Sequence, residues 1–309
     1  MSSGINKNEL MEAFSWLKFG MFIHFNSATF QFSEGSDDWF YGTKSNTEEH
    51  YRFFDPAGFN PGKIDFQQWA DVAKSAGCKF CAFTAKHHEG FSLWPSKATD
   101  HTVAASPYGG DAVAEYVKAM RENGLLPGLY YSMLDLHHNI TELGCAPAQK
   151  ELIFTQLREL LTNYGEIPIL VIDGWGSAWG GPRFSQLDYE ETAGYIHELS
   201  PNTLILNHSC ENNYDHTDVI FFENAAGQRV PKDFTGCGAA GNKLTRHWFW
   251  KTTDPKRRIK SAKWAVEKKL KPMNRRNVVF LLNASPNQKG AIDDNIAKVF
   301  AEVGRLTGK

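Results

Sequence analysis

The sequence predicts an α/β protein built as a (β/α)8 barrel, and three observations support this prediction. Short apolar runs alternate along the chain with longer segments of helical period, the pattern of βα units around a parallel sheet. The strand-like runs number eight. Several of them, such as PILVIDG and NVVFLLNA, are apolar almost throughout, as strands covered on both faces usually are.

The elements follow in a regular order. The predicted strands occupy residues 20–25, 79–87, 125–132, 168–174, 203–207, 218–224, 244–251 and 277–284. The predicted helices, which carry apolar stripes, occupy residues 66–77, 111–124, 149–165, 189–201, 260–270 and 294–306. Three of these helices end in glycine, which favours the left-handed conformation that closes a helix.

Two departures from regularity are expected. The fifth unit is irregular, because the residues between Asn207 and Val219 leave no room for a full helix. Long loops at 26–65 and 225–243 are rich in Gly, Ser and Asp, and loops of that length in a compact domain are usually functional.

An open, doubly wound sheet is the alternative architecture. The strand count argues against it, and no strand is followed by the G-x-G-x-x-G spacing of a dinucleotide site. Gly109 and Gly110 precede a helix without that spacing. The barrel is therefore favoured, and no cofactor is expected.

Residues 1–309 are expected to form one catalytic barrel domain. Barrels often run to about 250 residues or more as a single domain, and 42% hydrophobic residues suffice for a large core. Because about 25 residues follow the eighth predicted strand, no C-terminal β-sandwich is expected.

Charge and hydropathy narrow the class of partner. The formal net charge is -2 and no long basic block occurs, which argues against nucleic acid or an anionic membrane surface as a partner. No apolar run has the length of a signal peptide near the start or of a membrane span later, so a cytoplasmic location is expected. A neutral small molecule or glycan is the expected ligand, and a homo-oligomeric state is left open.

The five cysteines are odd in number and scattered, which does not suggest a disulfide framework. Cys78 and Cys81 have a C-x-x-C spacing, but a strand pattern runs through them and the second pair of a zinc site is missing. We interpret both as buried small hydrophobic residues, with redox chemistry as the minor alternative.

Polar side chains gather where the first six predicted strands end. They are His24, His87, His88, Glu89, Tyr131, Asp135, Asp173, Asn207, His208 and Glu223. One such residue is usually structural, but six consecutive strands that end this way are hard to explain by packing. Since catalytic groups of a barrel lie at the C-terminal ends of its strands, the site is expected there.

Two carboxylates at these ends suit glycoside hydrolysis. Asp173 directly follows the buried run LVI and precedes a glycine that would let a ligand approach closely, so it is the best nucleophile candidate. A second carboxylic acid must protonate the leaving oxygen, and retaining glycosidases place the two roughly 5 Å apart. Glu223 fits this role, with Asp38, Glu89 and Glu211 as alternatives.

Tryptophan and phenylalanine residues lie beside these groups in the sequence. Their faces stack on the apolar side of sugar rings, although a tryptophan is as often part of a core. They are Trp39, Phe40, Trp94, Trp175, Trp179, Trp248 and Trp250.

Several segments resemble the α-L-fucosidase family of glycoside hydrolases. They are FGMFIHF at 19–25, DDWF at 37–40, the run 54–80, TAKHHEGFSLWPSKATDHTV at 84–103, GLLPGLYYSMLD at 124–135, the run 156–175 that ends in VIDGW, and NVVFLLNASPNQKGAI at 277–292. The resemblance extends from about residue 16 to the end of the chain, and the segment around the paired histidines is the most specific.

The resemblance implies a retaining exo-glycosidase that releases terminal α-L-fucose from fucosylated oligosaccharides or glycoconjugates. It implies Asp173 as the nucleophile and Glu223, at the end of strand six, as the acid/base. It also implies a set of substrate contacts, to which the nearby tryptophans are added: His24, Asp38, Trp39, His87, His88, Tyr131, Trp175 and Trp248. Asp38, Trp39 and Phe40 stand where the family has glutamate, tryptophan and tyrosine, and the shorter Asp38 makes a part in acid/base work doubtful.

Two other functions are compatible with these residues. A metal-dependent barrel hydrolase could use His24, His87, His88, Asp173 and His208, but adjacent histidines on a strand point to opposite faces, so no metal is expected. A fucose-binding barrel without catalysis would keep the pocket and lose the acid/base. The linkage cleaved and the acceptance of related sugars such as L-galactose are not determined by the sequence.

Overall fold

The computed structural model describes residues 6–31, 54–223, 229–252, 255 and 258–309. Eight parallel strands form one sheet, which confirms the predicted (β/α)8 architecture. The strands are β1 Phe19–Ile23, β2 Phe80–Lys86, β3 Leu126–Ser132, β4 Ile169–Asp173, β5 Leu204–Asn207, β6 Ile220–Glu223, β7 Gly238–Lys243 and β8 Val278–Ala284.

The sheet order is β5-β4-β3-β2-β1-β8-β7-β6. The first and last strands of the chain are therefore neighbours, with Phe22 in register with Asn283. This pairing curls the sheet into a barrel and leaves β5 and β6 as its two edges.

Side chains bridge the seam between β5 and β6. The Asp218 carboxylate accepts from the Ile205 N–H at 2.8 Å, and the Thr217 hydroxyl accepts from the Asn207 N–H at 2.9 Å. The backbone N–H of Val219 donates to the Ile205 carbonyl at 3.1 Å. Residues 208–219, all described, contain no helix, so the predicted irregularity of the fifth unit is confirmed.

The helices lie on the outside of the sheet, with one exception described below. They are α1 Lys7–Leu17, α2 Ala28–Gln31, α3 Phe66–Ser75, α4 Ala112–Glu122, α5 Pro147–Thr162, α6 Tyr189–Leu199, a π-helical segment Trp264–Leu270, α7 Lys271–Asn274 and α8 Asp294–Thr307, with 3-10 turns at Pro56–Gly58 and Val103–Ala105.

Aspartate side chains begin three of the predicted helices. Asp65, Asp111 and Asp188 each accept a hydrogen bond from the backbone N–H three residues on, at 2.8–3.0 Å. The predicted helix at 260–270 is instead largely π-helical. There the Lys271 N–H donates to the carbonyl of Val266, five residues back, and Pro272 has no N–H to donate.

The seventh strand differs from its prediction. It is Gly238–Lys243, within the predicted loop, while the aromatic segment 244–251 forms bends beyond its end. Small residues are favoured here, because a Cβ on Gly241 would lie in tight contact, at 3.3 Å, with both Phe221 and Trp248. Hydrophobicity alone therefore pointed to the wrong segment.

The barrel interior is one apolar cluster, separate from the larger cluster between sheet and helices. Phe22, Tyr130, Val171 and Phe221 face inward, and α1 closes the N-terminal end by packing Phe14 into the interior. Because side chains alternate along a strand, residues two positions further on also face inward at the C-terminal end. Those residues are His24, Ser132, Asp173 and Glu223, and they begin the site.

The C-x-x-C pair lies in the larger cluster, between the sheet and the helices. Cys78 and Cys81 are both free and buried, and burial raises the pKa of each thiol. Their interpretation as small hydrophobic residues is confirmed. Within the described ranges, no helix is both long and apolar enough to cross a bilayer.

Candidate active site

Asp173 lies at the end of β4 with both carboxylate oxygens engaged. Oδ1 accepts from the backbone N–H of Gly174 at 2.6 Å and from the indole N–H of Trp179 at 2.9 Å. Oδ2 accepts from the Tyr130 hydroxyl at 2.8 Å. Three donors on one buried carboxylate favour its charged form.

The surroundings of Asp173 agree with this charge. Its Oδ2 lies 3.8 Å from Nε2 of His88 and 3.7 Å from Nδ1 of His208. Burial opposes ionisation, but His88, His208 and Tyr130 outweigh it and hold the pKa of Asp173 well below its usual range. Asp173 is therefore an ionised carboxylate at the base of the pocket.

Glu223, at the end of β6, has the opposite tendency. Burial raises its pKa above the usual value, and the charge of Asp173 adds to this, although His208 opposes it. Its Oε1 accepts from the indole N–H of Trp248 at 2.9 Å, and its Oε2 lies 3.6 Å from Nε2 of His208. The ring of His208 thus stands between the two carboxylates.

Histidines line the opposite side of the pocket. His24 is held by Asn283, with 2.7 Å between Nδ1 and Oδ1, and His88 is held by Ser132, with 2.6 Å between Nδ1 and Oγ. The His87 ring is stacked on Tyr130, with 5.5 Å between centroids. Burial and the neighbouring His87 lower the pKa of His24 to about 3, so this ring is neutral near pH 7.

Two aromatic rings from the loop after β7 complete the wall. Trp248 stacks on His24 at 4.8 Å between centroids and 27° between planes. Phe249 meets His24 and His87 edge-on at 5.3 and 4.8 Å. The pocket therefore combines two carboxylates, polar rings and an apolar side, which suits a sugar.

Known proteins are similar to this chain in sequence and in fold. A family model described as Alpha-L-fucosidase matches residues 2–309. The chain is 30% identical over 316 residues to Alpha-L-fucosidase 1 of Arabidopsis thaliana, covering 93% of this chain and 57% of that protein. The chain belongs to the α-L-fucosidase family.

Solved structures of α-L-fucosidases and related hydrolases have the same barrel. Alpha-L-fucosidase isoenzyme 1 from Paenibacillus thiaminolyticus matches with a TM-score of 0.76 at 28% identity, over 98% of this chain and 76% of that one. A glycoside hydrolase 29 family member from an unknown rumen bacterium matches with a TM-score of 0.81 at 28% identity, over 99% and 57%. The chain spans 57% and 55% of the lengths of two plant relatives that it matches.

The structure brings six of the predicted site residues together in this α-L-fucosidase barrel. They are His24, His87, His88, Asp173, Glu223 and Trp248. Asp38 and Trp39 lie outside the described residues.

Two predicted contacts lie elsewhere. Tyr131 faces away from the barrel interior, where its hydroxyl donates to Gln156 at 2.7 Å and Lys86 lies 4.3 Å from its ring centroid. Tyr130 occupies the pocket instead, because consecutive residues of a strand point to opposite faces. Trp175 is buried against Phe184 and Tyr189, with its indole N–H bonded to the Leu187 carbonyl.

Sequence reasoning did not name Tyr130, and it named Trp179 and His208 only as candidates near the strand ends, without including them among the substrate contacts. The double tyrosine signalled that one of the two rings faces inward, without showing which. Trp179 is six residues beyond Asp173 and returns to it only through the turns of the loop. His208 directly follows the fifth predicted strand, but its place between the two carboxylates depends on how β5 and β6 meet at the seam.

Two adjacent features also differ from expectation. β2 ends at Lys86, so His87 and His88 are loop residues, and their rings lie 4.2 Å apart in the same cluster rather than on opposite faces.

Gly174 has φ +62, and a Cβ there would lie 2.5 Å from Leu134 Cβ. Its small size accommodates the neighbouring loop rather than a ligand.

The alternative carboxylates have other partners. Glu89 is buried, accepts from the Ser27 hydroxyl at 2.6 Å and lies 3.4 Å from Nδ1 of His87. Glu211 is paired with His216 at 2.7 Å. In the part of the chain that the structure describes, no group of three or more His, Cys, Asp or Glu side chains could hold a metal ion.

Proposed function

We propose that this chain is a retaining exo-α-L-fucosidase that releases terminal α-L-fucose from fucosylated oligosaccharides or glycoconjugates. One observation supports this most directly: Asp173 and Glu223 flank His208 with pKa values displaced in opposite directions. Two carboxyl groups whose environments separate their pKa values mark a nucleophile and an acid.

In the first step, an Asp173 oxygen attacks the anomeric carbon of the fucosyl unit. The bond from that carbon to the aglycone oxygen breaks, and protonated Glu223 transfers its proton to the departing oxygen. The product is a fucosyl ester of Asp173. Oδ2 is the better placed oxygen, because it faces His88 and His208, whereas Oδ1 is held by two N–H donors.

In the second step, the Glu223 carboxylate takes a proton from water while the water oxygen attacks the anomeric carbon. The ester bond breaks and Asp173 leaves as a carboxylate. Two inversions at one carbon retain the configuration of the released fucose. The buried position of Glu223 raises its pKa, which favours the protonated form that the next cycle requires.

Recognition of the sugar is proposed to use His24, His87 and His88 for the ring hydroxyls and Trp248 for an apolar face. The similarity to proteins named α-L-fucosidase supports fucose as the sugar. The roles of Asp38 and Trp39 as substrate contacts remain predictions.

Replacement of the nucleophile gives the primary test. Asp173→Ala should abolish hydrolysis of an aryl α-L-fucoside, and azide should restore turnover with formation of the fucosyl azide of inverted configuration. Wild-type activity in this variant would remove Asp173 from the mechanism. Binding of L-fucose by the wild type without turnover of an activated aryl fucoside would favour the binding-protein alternative.

A matched pair of variants tests the acid/base. Glu223→Gln should lower kcat/KM by about 100-fold or more for a poor leaving group and much less for an activated aryl group. Glu211→Gln, a control on a carboxylate paired with His216, should leave both rates near wild type. The reverse pattern would transfer the role to Glu211.

Several broader properties are part of the proposal. Residues 1–309 are proposed as one catalytic barrel domain, which limited proteolysis tests by the survival of a single fragment. A panel of α-1,2, α-1,3, α-1,4 and α-1,6 fucosides, with an L-galactoside, would define specificity, and a strong chelator should leave activity unchanged. Cell fractionation tests the cytoplasmic location, and size-exclusion chromatography tests the homo-oligomer.

A further inference from the structure

A cavity of about 330 Å³ lies on the outside of the barrel, between the loop that precedes β7 and the helical segment that precedes β8. Arg276, one of its lining residues, stands two residues before β8 begins, whereas Asp173 and Glu223 end their strands. The cavity therefore lies toward the end of the barrel opposite the candidate active site. The residues that line it are Arg229, Val230, Lys268, Lys269, Met273 and Arg276.

The wall of this cavity is positively charged. Four of the six lining side chains are cations and none is an acid. Within the described ranges, none of the four forms an ion pair with a carboxylate, and Glu267, the acid beside Lys268, is paired with Lys271 at 2.6 Å. Residues 224–228, which precede Arg229, contain no Asp or Glu. The described part of the chain therefore leaves this charge without a counter-charge.

The guanidinium of Arg276 is held in one orientation by backbone carbonyls. Its Nε donates to the Pro272 carbonyl at 3.2 Å, and its Nη1 donates to the carbonyls of Val230 and Pro231 at 2.9 and 3.0 Å. A guanidinium has five N–H donors, and these bonds use three of them. The two N–H groups of Nη2 have no hydrogen-bond partner among the described residues, so a fixed donor pair remains for a ligand.

The two lysines belong to the π-helical segment Trp264–Leu270. π-helical turns are rare and frequently lie at functional sites. This turn brings Lys268 and Lys269 to the same cavity as Met273, five and four residues further on. Lys269 is half-buried, and burial together with the positive charge of Arg229 lowers its pKa below the usual value. Like charges held this close repel one another, and a bound anion would relieve that repulsion.

The shape of the cavity favours an organic ligand over a bare ion. Pockets for small molecules begin at about 300 Å³. Val230 and Met273, both buried, provide an apolar part of the wall. A phosphate monoester carries close to two negative charges at neutral pH and has three accepting oxygens, which suits several cations better than the single charge of a carboxylate.

We propose that this cavity binds a small organic phosphate, with the fixed guanidinium of Arg276 and the side chains of Lys268 and Lys269 around the phosphate group and Met273 against the organic part. Arginine is well suited to this role, because its planar N–H groups match the geometry of phosphate oxygens. The proposal is independent of the fucosidase chemistry, and each test below measures binding.

Calorimetry on the full chain tests the ligand class. Glucose 6-phosphate, glucose 6-sulfate and glucose would be titrated at pH 7.5 in about 0.15 M NaCl, where distant surface charges are screened. Glucose 6-phosphate should bind saturably and at least about threefold more tightly than the singly charged sulfate ester, and glucose should not bind. Equal or tighter binding of the sulfate ester would overturn the assignment to phosphate. Absence of saturable binding by the phosphate would overturn the site.

Methyl spectra locate the bound ligand. The chain has 6 methionines, of which Met273 lines the cavity and Met21 is buried in β1. In protein labelled at the methionine methyl groups and assigned with Met273→Leu, glucose 6-phosphate should shift the Met273 signal and leave the Met21 signal in place. Saturable binding without a shift of the Met273 signal would place the ligand elsewhere and overturn the proposal.

A matched pair of double variants tests the lysines. Lys268→Gln with Lys269→Gln should raise the dissociation constant of glucose 6-phosphate about tenfold or more. Lys79→Gln with Lys118→Gln removes the same charge from exposed lysines outside the cavity and should leave the constant near wild type. Because all four side chains are exposed or half-buried, both variants should fold, which urea unfolding would check. Wild-type affinity in the first variant, or equal losses in both, would overturn the proposal.

Discussion

Replacement of Gly174 by alanine should lower the stability of the protein and displace the proposed nucleophile, Asp173, which precedes it in the chain. Gly174 has φ +62, a conformation that costs an ordinary residue about 1–2 kcal/mol. The added Cβ would also lie 2.5 Å from Cβ and 2.8 Å from the backbone nitrogen of Leu134. Overpacking of this kind typically lowers the free energy of unfolding by about 1–3 kcal/mol.

These two costs place the loss of unfolding free energy at about 2–5 kcal/mol. The effect on catalysis should exceed the loss of folded protein, because the Gly174 N–H is 2.6 Å from Oδ1 of Asp173 and moves with the backbone. A displacement of the nucleophile by about 1 Å can lower kcat about 100-fold. Steady-state kinetics with an aryl α-L-fucoside and urea unfolding, measured on the same preparation, separate the two effects.

Gly194→Ala is the matched control. Gly194 lies within α6, and no atom of another part of the structure lies within 4 Å of its added Cβ. Alanine there should stabilise the helix by about 0.5–1 kcal/mol and leave kcat/KM unchanged. A Gly174→Ala variant whose free energy of unfolding lies within about 1 kcal/mol of wild type and whose kcat/KM lies within twofold of wild type would refute the reasoning.

Three further predictions concern single groups. Trp179→Phe removes an N–H donor from Asp173 and should lower kcat/KM by about tenfold or more; an unchanged kcat/KM would contradict it. Lys86→Met leaves the buried carboxylate of Asp135 without the cation that stands 2.9 Å away, and urea unfolding should show a loss of about 3–5 kcal/mol; a loss below about 1 kcal/mol would show that the pair is dispensable. Burial and a neighbouring histidine lower the pKa of His101 to about 3 in the folded state, against 6.5 when unfolded. The unfolded state therefore binds the proton first as pH falls below 6.5, and stability should drop by about 2 kcal/mol between pH 7 and pH 5, with a flatter dependence in His101→Phe.

The barrel could be predicted from the sequence because most of its strands are continuous apolar runs. β4 and β8 are recognisable from ILVID and VVFLLNA alone. β7 is not, because the rings of Phe221 and Trp248 leave little space beside Gly241, and the hydrophobic pattern of GAAGNK does not reveal that limit. A hydrophobic sequence pattern indicates whether a segment is buried from solvent. It does not indicate how much space the fold leaves for the side chains of that segment.

The sequence predicts which strand ends carry the candidate site, but it does not predict in which direction each side chain points. Asp173 and Glu223 were identified because a carboxylate that ends a buried strand has few structural explanations. Whether Tyr130 or Tyr131 faces the barrel interior depends on a shift of one residue along the strand. Because the two side chains are identical, the sequence does not show that shift. Trp175 and Trp179 are distinguished only by the turns of this loop, where Gly176, between them, has φ +66 and Gly180, directly after them, has φ +126.

The seam between β5 and β6 has a consequence for how the proposed catalytic pair can evolve. Asp173 stands on one side of it and Glu223 on the other, and side chains of Thr217 and Asp218 replace part of the ladder there. Elsewhere in the barrel, a change in the distance between two strand ends would break several backbone hydrogen bonds at once. At the seam, we expect substitutions in the single connecting segment to change the spacing of the proposed nucleophile and acid while the rest of the scaffold stays the same.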